Sequence, residues 1–131
     1  NELRSYTGKM GVFGRAIAFT AVSGFHQATR QIVAEKAGLE HWYYAGNVMI
    51  NTRSFCETAV GYMYDDTQID LMRNAQIEPV RIYKGGYNCR HQLLPVDPAW
   101  DKFKTRDKLP ALLTDPDEIR AADKAKRKKG K

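Results

Sequence analysis

Two cysteines and a histidine are the residues of this chain whose types could do chemistry together. Cys89 and His91 stand one residue apart in the stretch GGYNCRHQLLPV, and Cys56 ends the stretch NTRSFC. Both stretches are predicted to fall at the ends of secondary-structure elements, so a small domain can bring them together. Zinc in proteins is bound by thiolate sulfur and imidazole nitrogen. The three residues are therefore a candidate metal site, with His26, His41 or a carboxylate as candidates for a fourth ligand.

Other interpretations of these residues stay open. The C-x-H spacing differs from the usual knuckle of structural zinc sites, which has two intervening residues. The sequence is also compatible with a disulfide between Cys56 and Cys89. A further alternative is two buried free cysteines beside a histidine that satisfies backbone groups. Cys89 and His91 could touch as a nucleophilic pair, but no oxyanion feature and no glycine-flanked cysteine at a helix start is evident. Phosphate-loop and dinucleotide motifs are absent, and we expect that the chain is not an enzyme.

Length and composition are those of one globular domain. The chain has 131 residues, of which 43% are hydrophobic and 27% are charged. No apolar run approaches the roughly 20 residues of a membrane span, and we expect no membrane partner. Two cysteines are too few for a disulfide framework, so free thiols or a metal site in a reducing compartment are the default expectation. Because the sequence begins at Asn1 and not at Met, we expect it to be a piece of a longer protein.

The positive charge of the chain is concentrated at its C-terminal end. The net charge is +6, and residues 121–131 hold six Lys or Arg and one Asp, a net +5 that leaves +1 for the rest. A like-charged block without large apolar residues is predicted to be disordered alone. It could be a solubilising tail, it could contact nucleic acid phosphates without base specificity, or it could be a site for an acidic partner. The candidate contacts are Lys124, Lys126, Arg127, Lys128, Lys129 and Lys131.

The hydrophobic pattern predicts an α+β fold, in which one long helix packs on a small antiparallel hairpin or sheet with short helices. Apolar residues recur at three- and four-residue spacing over about 12–37, which indicates one face of a helix. The predicted buried face consists of Phe13, Ile17, Ala21, Phe25, Ala28 and Ile32. The stretch HWYYAGNVMINTR predicts a hairpin, in which Trp42 and Tyr44 share one face.

The remaining elements are predicted to be short. We expect helices at about 54–63 and 67–75, and strands at 79–83 (PVRIY) and 92–96 (QLLPV). Asp65, Asp66 or Thr67 can cap the second of these helices. Residues 97–120 are expected to form an extended arm, with a short helix that begins near Asp115 to Asp117.

Four motifs in this order resemble a known family. AIAFTAVSGFHQA is followed by HWYYAGN, then by TRSFC, and finally by GGYNCRHQLLPV. The order resembles the C-terminal domain of phage head morphogenesis proteins, also called minor head or Mu F-like proteins, and the likeness covers roughly residues 14–96. The matching positions are Thr20, Thr52, Arg53, Cys56, Asn88, Cys89, Arg90 and His91. We therefore expect a Mu F-like domain over 1–96 with its core at about 12–96, an extended arm over 97–120, and a disordered basic tail over 121–131.

The resemblance implies a structural metal. Many relatives have histidine where this chain has Cys56, and Cys-Arg-Cys where this chain has Cys89, Arg90 and His91. That exchange preserves a ligand set of two sulfurs and one nitrogen, which a disulfide would not tolerate, so it favours zinc.

The other motif positions are expected to shape the corner around this site. We expect Arg53 and Arg90 to bridge carbonyls or a carboxylate, and Asn88 with the Gly85–Gly86 pair to form the turn before the last strand. Thr52 belongs to the same structural motif.

The resemblance also implies a role in a tailed phage. Such proteins are structural components inside the head or at the portal vertex, and they assist head assembly and DNA packaging or ejection. The expected partners are the portal protein, the major capsid protein and, through the basic tail, packaged DNA; the expected locations are the virion and, during assembly, the host cytoplasm. Two alternatives remain, an effector or toxin-associated domain and a zinc-stabilised nucleic-acid-binding module.

Overall fold

The computed structural model describes residues 2–129, with side chains at all of these positions except 2–10, 12, 13 and 129. The elements in chain order are helix α1 (Glu2–Lys36), strand β1 (His41–Ala45), helix α2 (Ser54–Ala59), strand β2 (Met63–Asp65), helix α3 (Asp66–Leu71), helix α4 (Val80–Tyr83), strand β3 (Gln92–Val96), a 3-10 helix (Ala111–Leu113) and helix α5 (Pro116–Lys129). This is the predicted α+β fold, in which a long helix and short helices accompany a small antiparallel sheet.

The sheet has three strands in the order β2-β1-β3, and both pairs are antiparallel. The alternation in β1 is confirmed, since Trp42 and Tyr44 are buried while Tyr43 between them is half-buried. The predicted hairpin is wrong, because residues 46–53 form an irregular loop and β1 pairs with strands from further along the chain. An alternating run identifies a strand, but it does not identify the partners of that strand.

The predicted strand at 79–83 is also wrong. Residues Val80–Tyr83 form α4, which follows Pro79. A short apolar run does not distinguish a strand from a buried helical turn, and proline favours the start of a helix.

The two predicted short helices are confirmed in shorter form as α2 and α3. Asp65 caps α3 in a reciprocal capping box with Gln68.

The buried face of α1 differs from the predicted one. Ile17, Phe25 and Ile32 are each more than half exposed, Ala21 is exposed and Ala28 is half-buried, while the side chain of Phe13 lies outside the described residues. Among the α1 positions whose side chains are described, the buried ones are Thr20, Gly24, Gln27 and Ala34.

Hydrogen bonds explain this orientation of α1. Gln27 is fully buried, and its side-chain amide donates to the Leu93 carbonyl at 3.1 Å. Gln31 donates to the Arg81 carbonyl at 3.2 Å. Buried backbone carbonyls that lack a partner are costly, so the helix turns its polar side toward the segment that needs donors. Gly24 permits the close approach, because a Cβ there would lie 3.0 Å from the Tyr83 ring.

The C-terminal region packs on the domain. Leu113 and Ile119 belong to the same hydrophobic core as Trp42 and Phe55, so the core continues beyond residue 96. The helix that was expected to begin near Asp115 to Asp117 does begin there, as α5. The predicted disorder of 121–131 is wrong for 121–129, which lie in α5; residues 130 and 131 are outside the described residues.

Two side chains of α5 hold it against α2 and the loop before α2. The Asp123 carboxylate accepts a hydrogen bond from the Ser54 backbone N–H at 2.8 Å. The Lys126 ammonium donates to the Thr52 carbonyl at 2.7 Å and pairs with Glu57. Because composition alone does not reveal such docking contacts, the sequence indicated disorder for this segment.

Candidate metal centre

Cys56, Cys89 and His91 converge, as the sequence predicted. Cys56 lies in α2, Cys89 in the turn between α4 and β3, and His91 directly before β3. The two sulfurs are 3.8 Å apart, and Cys89 Sγ is 3.8 Å from His91 Nδ1. Both cysteines are free and buried, and the ligand atoms of all three residues lie within 4.8 Å of one another. The group can hold a metal ion.

Side chains from two distant elements hold the turn that carries Cys89. Arg53 donates one hydrogen bond to the Gly85 carbonyl at 3.3 Å and another to the Tyr87 carbonyl. Thr20 of α1 accepts from the Asn88 backbone N–H at 2.9 Å. Asn88 has a φ of 54°, a left-handed conformation that asparagine tolerates, so its expected place in the turn is confirmed.

Thr52 and Arg90 make different contacts. The Thr52 hydroxyl accepts from the Met49 N–H at 2.6 Å and so closes the loop that precedes α2. Among the residues with described side chains, Arg90 bridges no carbonyl or carboxylate, contrary to expectation: its guanidinium stacks 3.6 Å from the centre of the Phe19 ring. Arg53 bridges carbonyls as expected.

The histidine ring is oriented by the loop after β1. His91 Nε2 lies 2.9 Å from the Asn47 carbonyl oxygen. Since a carbonyl only accepts, Nε2 is the donor of this hydrogen bond, and Nδ1 is the ring nitrogen that faces Cys89 and could bind a metal. A partner on the second ring nitrogen is typical of metal-binding histidines. A side chain at Gly46 would collide with this ring, because its Cβ would lie 2.3 Å from His91 Cδ2.

Gly85 makes room for the sulfurs. A Cβ at this position would lie 2.2 Å from Cys56 Sγ and 3.2 Å from Cys89 Sγ. The Gly85 N–H also donates to Cys89 Sγ at 3.4 Å. The sequence identified the Gly85–Gly86 pair as a turn, and the φ of 111° at Gly86 agrees. It did not identify Gly85 as part of the site, nor Gly46 and Asn47, because only the fold brings them there.

The two thiols differ in acidity. A hydrogen bond from the Cys56 thiol, with the N–H groups of Gly85 and His91, lowers the pKa of Cys89 well below that of an ordinary thiol. The hydrogen bond to Cys89 and burial raise the pKa of Cys56. One thiolate therefore forms readily, and a cation that binds both sulfurs must displace the second proton.

Two further buried groups adjoin the sulfurs. The Tyr44 hydroxyl is 3.3 Å from Cys56 Sγ and 3.8 Å from Cys89 Sγ. Burial, followed by the nearby thiols, raises the pKa of Tyr44, so its hydroxyl stays protonated and donates. Lys84 is buried and donates to Ser23 at 2.6 Å. Burial lowers the pKa of Lys84, and the charge of Cys89 opposes that shift.

A cavity of about 490 Å³ lies in front of the donor group. Besides the three donor residues, its lining includes Asn47, Asn51, Arg53, Asn88 and Arg90. Among the side chains that the structure describes, no further Cys, His, Asp or Glu joins the donor group, and neither His26 nor His41 belongs to it. The expected fourth ligand from these histidines is therefore wrong.

The predicted DNA contacts are divided by the folding of α5. Lys124, Arg127 and Lys128 are exposed and share one side of the helix, since they are three and four residues apart. We call these three residues the basic ridge. Lys126 is half-buried against Glu57, and the side chains of Lys129 and Lys131 lie outside the described residues.

None of the helices in the described part of the chain has an apolar stretch of the length needed to cross a membrane.

The family resemblance of the four motifs stays a prediction. Comparisons of the chain with models of known protein families, with curated proteins and with solved structures found no match.

Proposed function

We propose that this chain is a zinc-stabilised structural domain of a tailed-phage minor head protein, without an enzymatic role. The observation that supports the proposal best is the donor group of Cys56, Cys89 and His91. All three stand at positions of the family-like motifs, and two further motif positions, Arg53 and Thr20, hold the turn that brings them together. Motifs that are far apart in sequence thus serve one corner of the fold.

Zinc is the metal that suits this donor group. A tetrahedral centre with Zn–S bonds of about 2.3 Å separates its two sulfurs by about 3.8 Å. The sulfurs of Cys56 and Cys89 are 3.8 Å apart. A zinc ion would tie the six-residue helix α2 to the irregular turn before β3, which otherwise depends on a few hydrogen bonds. Its contribution would therefore be to stability.

Metal content tests the zinc proposal. We expect elemental analysis of the purified chain to find one zinc per molecule, and the Cys56→Ser and Cys89→Ser variants to lose it. His26→Gln is the matched control, since His26 is an exposed histidine outside the donor group. A zinc-free protein whose mass is lower by two hydrogens would support the disulfide instead.

We also propose that the basic ridge contacts packaged DNA through phosphates. Three phosphate contacts predict a slope of log affinity against log salt of about −2.7, at −0.9 per contact. Removal of 121–131 would be a poor test, because Asp123 and Lys126 hold α2. Neutralisation of the basic ridge by glutamine should lower affinity for duplex DNA and flatten the slope. The matched control neutralises three exposed lysines elsewhere, Lys102, Lys104 and Lys108.

Equal binding by the basic-ridge variant and its control would contradict the DNA proposal and leave α5 as a docking helix. The class of protein is tested separately, by partner association. The proposal places the chain in the head interior or at the portal vertex, so it should co-purify with the portal protein or with the major capsid protein of the phage that encodes it. Turnover of NAD or nucleotides by the purified chain would instead favour the effector alternative.

A further inference from the structure

The donor group leaves one coordination position of a zinc ion without a protein ligand. Zinc in proteins is most often four-coordinate. In the part of the chain with described side chains, Cys56, Cys89 and His91 are the only Cys, His, Asp or Glu in the group. A three-ligand site of this kind binds water or an exogenous molecule at its fourth position.

The surroundings of the sulfurs determine which side of the site is open. On one side, the Tyr44 hydroxyl and the backbone of Gly85 lie against both sulfur atoms. Tyr44 is fully buried. The cavity of about 490 Å³ has all three donor residues in its lining, whereas Tyr44 and Gly85 are not among its described lining residues. A ligand from solvent can therefore reach the metal through the cavity.

The cavity lining carries neutral polar side chains and positively charged ones. Arg53 and Arg90 contribute to it together with three asparagines, and no Asp or Glu is among its described lining residues. Two thiolates neutralise the charge of a zinc ion, so the two arginines give the cavity a positive net charge. Arg53 is engaged with two backbone carbonyls. Arg90 is exposed and makes its described contact with the face of Phe19, which leaves its N–H groups available to an anion.

We propose that the cavity binds a small oxyanion, with one oxygen at the fourth position of the zinc and a charge-assisted hydrogen bond from Arg90. The oxyanion is a phosphate or carboxylate group. Such a group can accept two hydrogen bonds from an arginine guanidinium and can bind the metal through an oxygen. The inference rests on the zinc site proposed above. It adds that the site is open to an exchangeable ligand.

Cobalt substitution provides the experiment. Cobalt(II) reports its ligands through visible absorption and through thiolate-to-metal charge transfer. The cobalt-loaded chain is titrated with inorganic phosphate and, separately, with acetate, at constant ionic strength maintained with a non-coordinating salt. We expect a saturable change in the visible bands with one anion per metal. Arg90→Gln should weaken anion affinity about tenfold or more, as expected for loss of a hydrogen bond to a charged group.

The controls separate the ways in which the inference can fail. Arg120→Gln removes an exposed arginine on α5, away from the cavity lining, and should leave anion affinity unchanged. Equal anion affinities of Arg90→Gln and Arg120→Gln would overturn the role of Arg90. No spectral response in the wild type, with a response in Tyr44→Phe, would overturn the open position, because the tyrosine oxygen would then occupy it.

No response to anion in either protein would also overturn the inference, while the cobalt bands themselves would uphold the metal site. Absence of a thiolate-to-cobalt band would overturn the zinc proposal and the inference together. Metal stoichiometry is measured for every variant, so loss of metal is distinguished from loss of anion binding.

Discussion

Truncation of Phe25 tests the orientation of α1 most directly. The sequence pattern alone predicts a buried phenylalanine, whose replacement by alanine would cost about 3–5 kcal/mol of unfolding free energy. In the structure Phe25 is 70% exposed. Full burial of such a side chain contributes up to about 3 kcal/mol, so the buried third contributes about 1 kcal/mol. Alanine regains about 0.5 kcal/mol of helix propensity, which leaves a net cost near 0.5 kcal/mol.

Phe55 provides the matched control, because it is a phenylalanine with no exposed surface. Phe55→Ala should cost the full 3–5 kcal/mol. Both variants are measured by urea denaturation with saturating zinc, so that metal content does not differ between them. A loss of 3 kcal/mol or more for Phe25→Ala would refute the orientation. If that loss increased with protein concentration, the exposed face of α1 would be covered by another chain.

Further predictions concern the metal corner. Gly85→Ala places a methyl group against Cys56 Sγ, so we expect loss of zinc and a cost of roughly 1–3 kcal/mol; full zinc occupancy by elemental analysis would contradict this. Asp123→Ala removes the acceptor of the Ser54 N–H and should cost about 1 kcal/mol in urea denaturation, whereas an unchanged midpoint would show that the α5 contact is dispensable. A chelator should lower the thermal midpoint, since zinc at a hundred times its dissociation constant contributes about 2.7 kcal/mol; an equal shift in a Cys56→Ser variant would argue against this site as the cause.

The long helix shows where sequence reasoning reaches its limit. Two sets of positions on α1 follow the three- and four-residue spacing of a helix face. One set includes Ile17, Phe25 and Ile32, and the other includes Thr20 and Gln27. Hydrophobicity favours the first, yet the second is buried, because its side chains satisfy backbone groups of the 81–93 segment. Which backbone groups need partners is a property of the folded chain.

What the sequence by itself determined is local. Helical spacing indicated α1, the alternation around Trp42 and Tyr44 indicated β1, and a capping residue among 65–67 marked the start of α3, where the structure has Asp65. The residue types of Cys56, Cys89 and His91 made them candidate donors, since thiolate sulfur and imidazole nitrogen are ligands of zinc in proteins.

Tertiary structure alone decided the arrangement of these elements. It paired β1 with β2 and β3, docked α5 through Asp123, and placed Gly85 and Tyr44 against the two sulfurs. Apart from the approach of Gly85 to Cys89, these contacts join residues that are distant in the chain, and no local spacing predicts them. The physical reason is that periodicity reports the conformation of one segment, whereas partners are chosen by packing and hydrogen bonding across the whole domain.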